Sequence, residues 1–322
     1  MQKKKINFAI IGCGSVSLDH ARVIKKLGHN ILYGSTRKKV SKNWKKFKKI
    51  HQKTKFLNAE KILKNRDVDM IVSCLPLNEN IKYCSKLIFS EKPILIEKPL
   101  HNNYRKLNKI LKDPRAKLNN KVLAYNRRHY SVVDKLKKKI MFSDVKMINV
   151  NISENYKILK KKYKKDINKI FLHVGASSHI IDLLLFFFKE IKVLKKIKLK
   201  DNYLDGYHLL LIANKKVPIS ININEKDSFN ASIEVRFKNG NLWQLSPIEN
   251  LNIFSKPKVL KSSKNFFRKK YMINLKNMYE ENMIFRPGFY KQLKMFSSYN
   301  FQSMYKIREN LRLIRLFNEI EK

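Results

Sequence analysis

Glycine and proline are scarce, at 8 each in 322 residues. That scarcity excludes collagen-like repeats and Pro-rich linkers. Cysteine is scarcer: Cys13, Cys74 and Cys84 are odd in number, and no two have metal-ligand spacing. A disulfide framework and a cysteine zinc site are thereby excluded, and a reducing compartment is expected. Long apolar runs are missing as well. Residues 180–188 are strongly apolar but contain Asp182, and they make only about half a membrane span. The opening MQKKKINFAIIGCGS imitates a basic leader. Its apolar run, 6–11, is interrupted by Asn7 and is shorter than an export signal requires. These absences argue against a membrane partner and lead us to expect a cytoplasmic protein. Acidic residues are also few, 25 against 71 basic, for a net charge of +46.

Such an excess of positive charge attracts polyanions, but its placement argues otherwise. Lysine runs at 3–5, 45–49, 160–165 and 195–200 are scattered along the whole chain. Lysine far outnumbers arginine, and Ile and Asn are abundant with it, a pattern that AT-rich coding explains without a nucleic-acid partner. Dispersed charge is ordinarily a solvated face. A hydrophobic fraction of 43%, with 14 Tyr and 19 Phe, excludes wholesale disorder. At this length roughly three-quarters of the unfolded surface becomes buried, enough for two cores. We therefore expect two domains, residues 1–122 and 123–322. No internal repeat or low-complexity tail is visible.

The first 120 residues alternate strand and helix. Residues 6–11 form a short apolar run ending at Gly12, as a buried parallel strand does. In 16–27, Ala21, Val23, Ile24 and Leu27 fall near helical spacing, with Gly28 as a stop. Strands are expected at 30–33, 68–75 and 93–96, and a helix at 81–89. This alternation implies right-handed crossovers and a parallel sheet.

The turn after the first strand reads Gly12-Cys13-Gly14-Ser15-Val16-Ser17. One glycine allows the tight turn; the next lets the backbone of Ser15 and Val16 approach a pyrophosphate at a helix N-terminus. Ser17 stands where a third small residue packs helix on strand. The same pattern also occurs as an ordinary strand-to-helix turn, but here it follows a strand and opens a helix. At the end of the second strand an NAD-binding fold places a carboxylate on the ribose hydroxyl. This chain has Gly34-Ser35-Thr36-Arg37 instead. Two hydroxyls and a guanidinium suit a 2′-phosphate, so NADP is expected as cofactor, with NAD as the alternative. A competing reading makes Arg37 the start of the basic helix that follows.

From about residue 145 the pattern turns to alternation. Val217, Ile219, Ile221 and Ile223 alternate with Pro, Ser and Asn, and Ile233, Val235 and Phe237 do likewise before Lys238-Asn239-Gly240-Asn241. Asn-Gly at the centre is a hairpin turn. Further strands are expected at 145–152, 207–212 and 242–245, and helices at 130–140, 179–188, 289–299 and 304–320. An antiparallel or mixed sheet with one wet face follows.

The segment Ile94-Leu95-Ile96-Glu97-Lys98-Pro99-Leu100 resembles the Glu-Lys-Pro signature of the Gfo/Idh/MocA family, the glucose–fructose oxidoreductases and inositol dehydrogenases. The glycine turn with His20 shortly after, the strand ending at Leu75-Pro76, Tyr125-Asn126-Arg127-Arg128 and Ser178-His179-Ile180-Ile181-Asp182 resemble that family in order and spacing. The resemblance implies an N-terminal Rossmann dinucleotide-binding domain and a C-terminal α+β domain with an open, mostly antiparallel sheet, the active site lying between them. It also implies reversible oxidation of a carbinol on a sugar, inositol or nucleotide sugar, and commonly a homo-oligomer. Gly12, Gly14, Ser15, Val16, Ser35, Thr36, Arg37, Leu75, Pro76, Glu97, Lys98 and Asn126 would border the cofactor. Lys98, Arg128, His179 and Asp182 would meet the substrate, and Lys98 and His179 would be catalytic. No metal is expected.

The chemistry agrees with those residue types. Hydride leaves a carbinol only as its hydroxyl proton leaves, so a base must lie within hydrogen-bond reach. Histidine titrates near neutrality, and a lysine ammonium stabilises developing alkoxide charge. Taken singly, Lys98 reads as a surface lysine in a turn and His179 as a structural helix-start histidine; taken together and in that order, they read as catalytic. One position departs from the family pattern. Many members carry aspartate four residues before the histidine, and here that residue is Gly175. Either Ser177 or Ser178 orients His179, or His173 assists, or the proton chemistry is altered; Asp182, at i+3, shares its helical face. Two other classes stand beside the enzyme: a catalytically idle NADP-binding sensor, and a basic nucleic-acid-binding protein on the same scaffold.

Overall fold

The computed structural model describes residues 5–164, 167–199, 206–225, 231–261 and 268–321. Lys3, Lys4, Lys165 and Lys200 of the lysine runs lie outside the described residues. The chain divides into two compact units: Met1–His129 with Met283–Arg315, and Tyr130–Asn282 with Leu316–Lys322.

The first stretch runs β1 (Asn7–Ile11), α1 (Ser15–Lys26), β2 (Asn30–Ser35), α2 (Lys42–Ile50), β3 (Lys55–Phe56), α3 (Ala59–Lys64), β4 (Met70–Ser73), α4 (Leu77–Phe89), β5 (Ile94–Ile96), α5 (Tyr104–Lys112) and β6 (Lys121–Leu123). All six strands pair in parallel, in the order β3-β2-β1-β4-β5-β6. β4, β5 and β6 are buried at every residue, as a sheet covered on both faces requires. Strand order reverses between β1 and β4, and the crevice beyond their carboxyl ends is where such sheets bind ligands.

Local chemistry explains the helices. Ser41 accepts a hydrogen bond from the Trp44 N–H at the start of α2, and Asn103 caps α5 through the Lys106 N–H. α2 buries Trp44 and Phe47 while Lys45, Lys46 and Lys49 stay exposed. The lysine run at 45–49 is thus the solvated face of an amphipathic helix.

The middle stretch continues with α6 (Ser131–Met141), β7 (Val145–Glu154), α7 (Tyr156–Tyr163), α8 (Ile167–Val174), α9 (Ala176–Phe187), β8 (Ile191–Leu199), β9 (Gly206–Ala213), β10 (Val217–Glu225), β11 (Ala231–Phe237), β12 (Leu242–Leu245), β13 (Asn250–Phe254), β14 (Lys258–Leu260), β15 (Lys270–Met272) and β16 (Leu275–Glu280). Eight strands form one sheet, β16-β13-β12-β11-β7-β10-β9-β8, with only β7 and β10 parallel. Ile148, Val150, Ile152, Ile219, Ile221, Ile223, Ile233 and Val235 bury one face. On these strands Asn151, Asn222 and His208 join side chain to side chain, His208 Nδ1 lying 2.5 Å from the Asn222 oxygen. The hairpin at Asn239-Gly240 joins β11 to β12, with Gly240 at φ +83.

The chain then returns through α10 (Phe289–Ser297) and α11 (Ile307–Glu321). Phe289, Leu293 and Phe296 of α10 join the core of Phe8, Ile10, Ala21 and Ile24.

Parallel α/β first and open, mostly antiparallel sheet second is the architecture the sequence led us to expect. Three strands extend beyond the expected ranges, β2 to Ser35, β7 to Glu154 and β9 by one residue at each end, to Gly206 and Ala213. The lysine-rich 191–199 is strand β8 at a sheet edge, where lysines can reach water and discourage further pairing.

Candidate active site

In the first unit, β1 is followed by Gly12, which has φ +92, a backbone state that glycine adopts without steric cost. A Cβ there would stand 2.8 Å from the Cys74 carbonyl oxygen on the chain leaving β4. Gly12 and Cys13 donate their N–H groups to the Ser35 carbonyl, at 2.9 and 3.1 Å. The ends of β1, β2 and β4 are thereby locked together. Gly14 is the N-cap of α1; its residue type brings no side-chain cap, and no acidic residue stands in the first turn. Its chain neighbours and the helix's own backbone aside, nothing among the described residues lies within 4 Å of where its Cβ would be. Ser17 is buried and donates its hydroxyl to the Gly14 carbonyl at 2.5 Å, so serine fills the third small position. The geometry passes the test for a dinucleotide: an open space faces the positive end of a twelve-residue helix.

Beyond β2, Ser35 is buried, and Thr36 donates to the Lys38 carbonyl and accepts from Ser41. Arg37 is exposed and pairs at 2.7 Å with Glu79 on α4. Leu75 is half-buried and Pro76, the N-cap of α4, is exposed.

Glu97 and Lys98 follow β5, and the Lys98–Pro99 peptide is cis. The Glu97 carboxylate lies 2.7 Å from His20 Nε2; the imidazole donates, since an ionised carboxylate only accepts. His20 is fully buried and packs against Phe289, the rings tilted by 34° with centres 4.4 Å apart. Asn80 of α4 organises this loop: its amide nitrogen lies 3.1, 2.9 and 3.0 Å from the carbonyls of Leu75, Glu97 and Pro99. Sequence reasoning missed Asn80; its only signal was a polar residue on the buried face of α4. Lys98 is half-buried.

Asn126 donates to the Pro287 carbonyl at 2.9 Å. The Arg128 guanidinium is buried, lies 3.0 Å from Glu309 and stacks over the Tyr305 ring at 3.8 Å. Gly12, Gly14, Ser35, Leu75, Glu97 and Lys98 are thus gathered at the carboxyl edge of one sheet.

The second unit holds His179 and Asp182 on α9. His179 is half-buried in the first turn and Asp182 is buried one turn on. Gly175 precedes the helix, and Ser178 donates to its carbonyl at 2.9 Å. His173, on α8, is buried edge-on to the Phe317 ring. Glu154, which sequence reasoning also missed, accepts from the N–H groups of Ala176 and Ser177, at 3.0 and 2.6 Å, and from the Ser177 hydroxyl. Among the described residues, no three His, Cys, Asp or Glu side chains gather as a metal site would require, and no helix is long and apolar enough to cross a membrane.

A parallel sheet of this order, with an open glycine turn at its switch point, is the architecture of a Rossmann dinucleotide-binding domain. Residues 6–126 match the family described as "Oxidoreductase family, NAD-binding Rossmann fold", GFO_IDH_MocA. Over those residues the chain is similar to the Gfo/Idh/MocA oxidoreductases, the family that the sequence motifs resemble. Among solved structures, the chain is similar to apo scyllo-inositol dehydrogenase from Lactobacillus casei, at 13% identity and a TM-score of 0.73 over 100% of this chain and 96% of that one. It is similar to a myo-inositol dehydrogenase from Corynebacterium glutamicum, at 12% identity and a TM-score of 0.71 over 98% and 96%. An oxidoreductase from Agrobacterium radiobacter, solved with NAD+, L-tartaric acid and magnesium, gives 10% identity and a TM-score of 0.74 over 98% and 95%. At such identities the likeness is one of fold. No curated protein matches the chain in sequence.

Proposed function

We propose that the protein is an NADP-preferring oxidoreductase that moves hydride between nicotinamide and a hydroxyl or keto carbon of a sugar, inositol or nucleotide sugar. The observation that carries this reading is the open space before the N-terminus of α1 at Gly14. There Gly12, Gly14, Ser15 and Val16 would hold the pyrophosphate by backbone N–H groups. Ser35, Thr36 and Arg37 would hold the 2′-phosphate, Arg37 exchanging or sharing its bond to Glu79. Leu75, Pro76, Glu97 and Asn126 would border the cofactor.

Once bound, the nicotinamide supplies hydride chemistry; the chain supplies the proton chemistry. His179 takes the substrate hydroxyl proton at its imidazole and returns it in the reverse direction. The Lys98 ammonium stabilises the oxygen as negative charge develops. Arg128 and Asp182 belong to the substrate side, Arg128 held in a fixed rotamer by Glu309 and Tyr305. The same reading includes a cytoplasmic setting and a homo-oligomer, to which the exposed apolar side chains Leu275 and Met278 of β16 would contribute.

Parallel fluorescence titrations with NADPH and NADH at about 0.15 M salt, where surface charge is screened beyond roughly 8 Å, test the cofactor. Saturation with NADPH clearly tighter is expected. If neither binds, the reading fails. Substrate-dependent NADPH oxidation that Lys98→Ala abolishes, across a panel of sugars, inositols and nucleotide sugars, tests the reaction.

A further inference from the structure

Glu154 is the last residue of β7 and is 3% exposed. Carboxylates are rarely so buried unless something specific holds them. What holds this one is the start of α9: the Ala176 N–H, the Ser177 N–H and the Ser177 hydroxyl all donate to it. The helix's own N-cap residue, Gly175, contributes no side chain. A Cβ built on Gly175 would overlap both Glu154 oxygens. The backbone there is extended, φ −80 and ψ −170, a conformation open to any residue. Glycine therefore stands at 175 to make room for a carboxylate arriving from another strand.

We propose that Glu154 is the positioning carboxylate of the His179 site, entering from β7 through the space Gly175 leaves. The proposal rests on the proton-transfer role given to His179 above. Glu154 fixes the first turn of α9, the turn that carries His179, by bonds to its backbone. Such charge-assisted bonds are short and directional, so the imidazole's point of attachment is held still. The carboxylate also sets a buried negative charge beside that turn, which favours an imidazolium. Titratable residues on the elements packed with α9 are Lys146 and Glu154 on β7, Lys169 and His173 on α8, Asp134, Lys135, Lys137, Lys138 and Lys139 on α6, and Asp182 on α9 itself. Of these, Glu154 is bonded to the first-turn amides.

The experiment compares wild type with Glu154→Gln and with two double variants, Glu154→Ala/Gly175→Asp and Glu154→Ala/Gly175→Ser. Aspartate and serine both cap helices, but only aspartate restores the charge. The readouts are thermal midpoint, NADPH affinity, kcat and KM separately, and the NMR titration of the His179 imidazole, assigned by its loss in His179→Gln.

Glu154→Gln is expected to lower kcat about tenfold or more with KM changed less than about threefold. Its His179 midpoint should fall by about half a pH unit or more, with NADPH affinity unchanged. The aspartate double variant should recover both kcat and the titration, and the serine variant only the thermal midpoint. An identical His179 titration in wild type and Glu154→Gln overturns the proposal. So does full recovery by serine, which would reduce Glu154 to a helix cap. If wild type oxidises no substrate, the catalytic reading fails on its own, and the titration still decides whether Glu154 acts on His179.

Discussion

At position 12 the backbone has φ +92 and a carbonyl 2.8 Å from the missing Cβ, so two independent constraints demand glycine. Gly12→Ala combines left-handed strain with a backbone clash. It should cost on the order of 1–3 kcal/mol of stability and abolish saturable NADPH binding, read by denaturant unfolding and by titration. Arg37 carries a different kind of prediction, because its partner Glu79 is internal but the guanidinium is exposed. Arg37→Ala should weaken NADPH by roughly tenfold or more, the worth of a charge-assisted bond of about 1.5–3 kcal/mol, and leave NADH nearly unchanged. Equal weakening of both cofactors would remove the 2′-phosphate assignment. Asn80 is the buried residue that ties Leu75, Glu97 and Pro99. Asn80→Ala leaves those carbonyls short of donors; a loss of about 1–3 kcal/mol is expected, with kcat falling more than NADPH affinity because the loop bearing Lys98 loosens. The glycines and the Glu-Lys-Pro loop were legible because short-range backbone needs select residue types directly. Asn80 and Glu154 were not, since each serves groups 5 to 23 positions away.

At the scale of elements, the helices show how a lysine-rich chain builds a core. α2 buries only Trp44 and Phe47, and Trp44 packs where a Cβ at Gly34 would stand. His51 closes α2, buried with its ring centre 4.6 Å from that of Phe47. Among the described residues, neither of its ring nitrogens has a hydrogen-bond partner. Burial, with Lys25 and Arg22 of α1 adding to it, pushes its pKa down from 6.5 to about 4. Between those pH values the unfolded chain binds a proton that the folded chain refuses. Stability therefore falls as pH drops through that window, by up to about 1.4 kcal/mol per pH unit from this group. Above pH 6.5 the imidazole is neutral in both states and the effect vanishes. Urea unfolding of wild type and His51→Phe at pH 7 and pH 5 checks this; the variant should show the smaller acid loss. Strand and helix periods made β1, α1, β10 and β11 readable, whereas β8 was hidden because its lysines obscured the alternation of Ile191, Val193 and Ile197.

For the whole molecule, the net charge of +46 is long-range and weakly specific. It should draw NADPH by steering, so the association rate should fall several-fold as salt rises through the range where the Debye length shrinks from about 10 to 3 Å. Stopped-flow fluorescence reads this, and a rate indifferent to salt would show that the charge does no steering. Leu275 and Met278 lie exposed on β16, an edge of the eight-stranded sheet, an arrangement prone to further association. Light scattering is expected to report more than one chain, and Leu275→Lys with Met278→Lys to reduce the mass to one.

What could be read along the chain alone was the class of each half and the dinucleotide turn. Those depend on period and on backbone conformation, which neighbours in sequence set. Tertiary structure decided the rest. It brought Met283–Arg315 back to the first unit, where Phe289 and Phe296 complete a core begun at Phe8. It joined His20 to Glu97, and it placed Glu154 in the room left by Gly175. Burial of a carboxylate or an imidazole is settled by partners distant in sequence, and no local pattern records which partner will arrive.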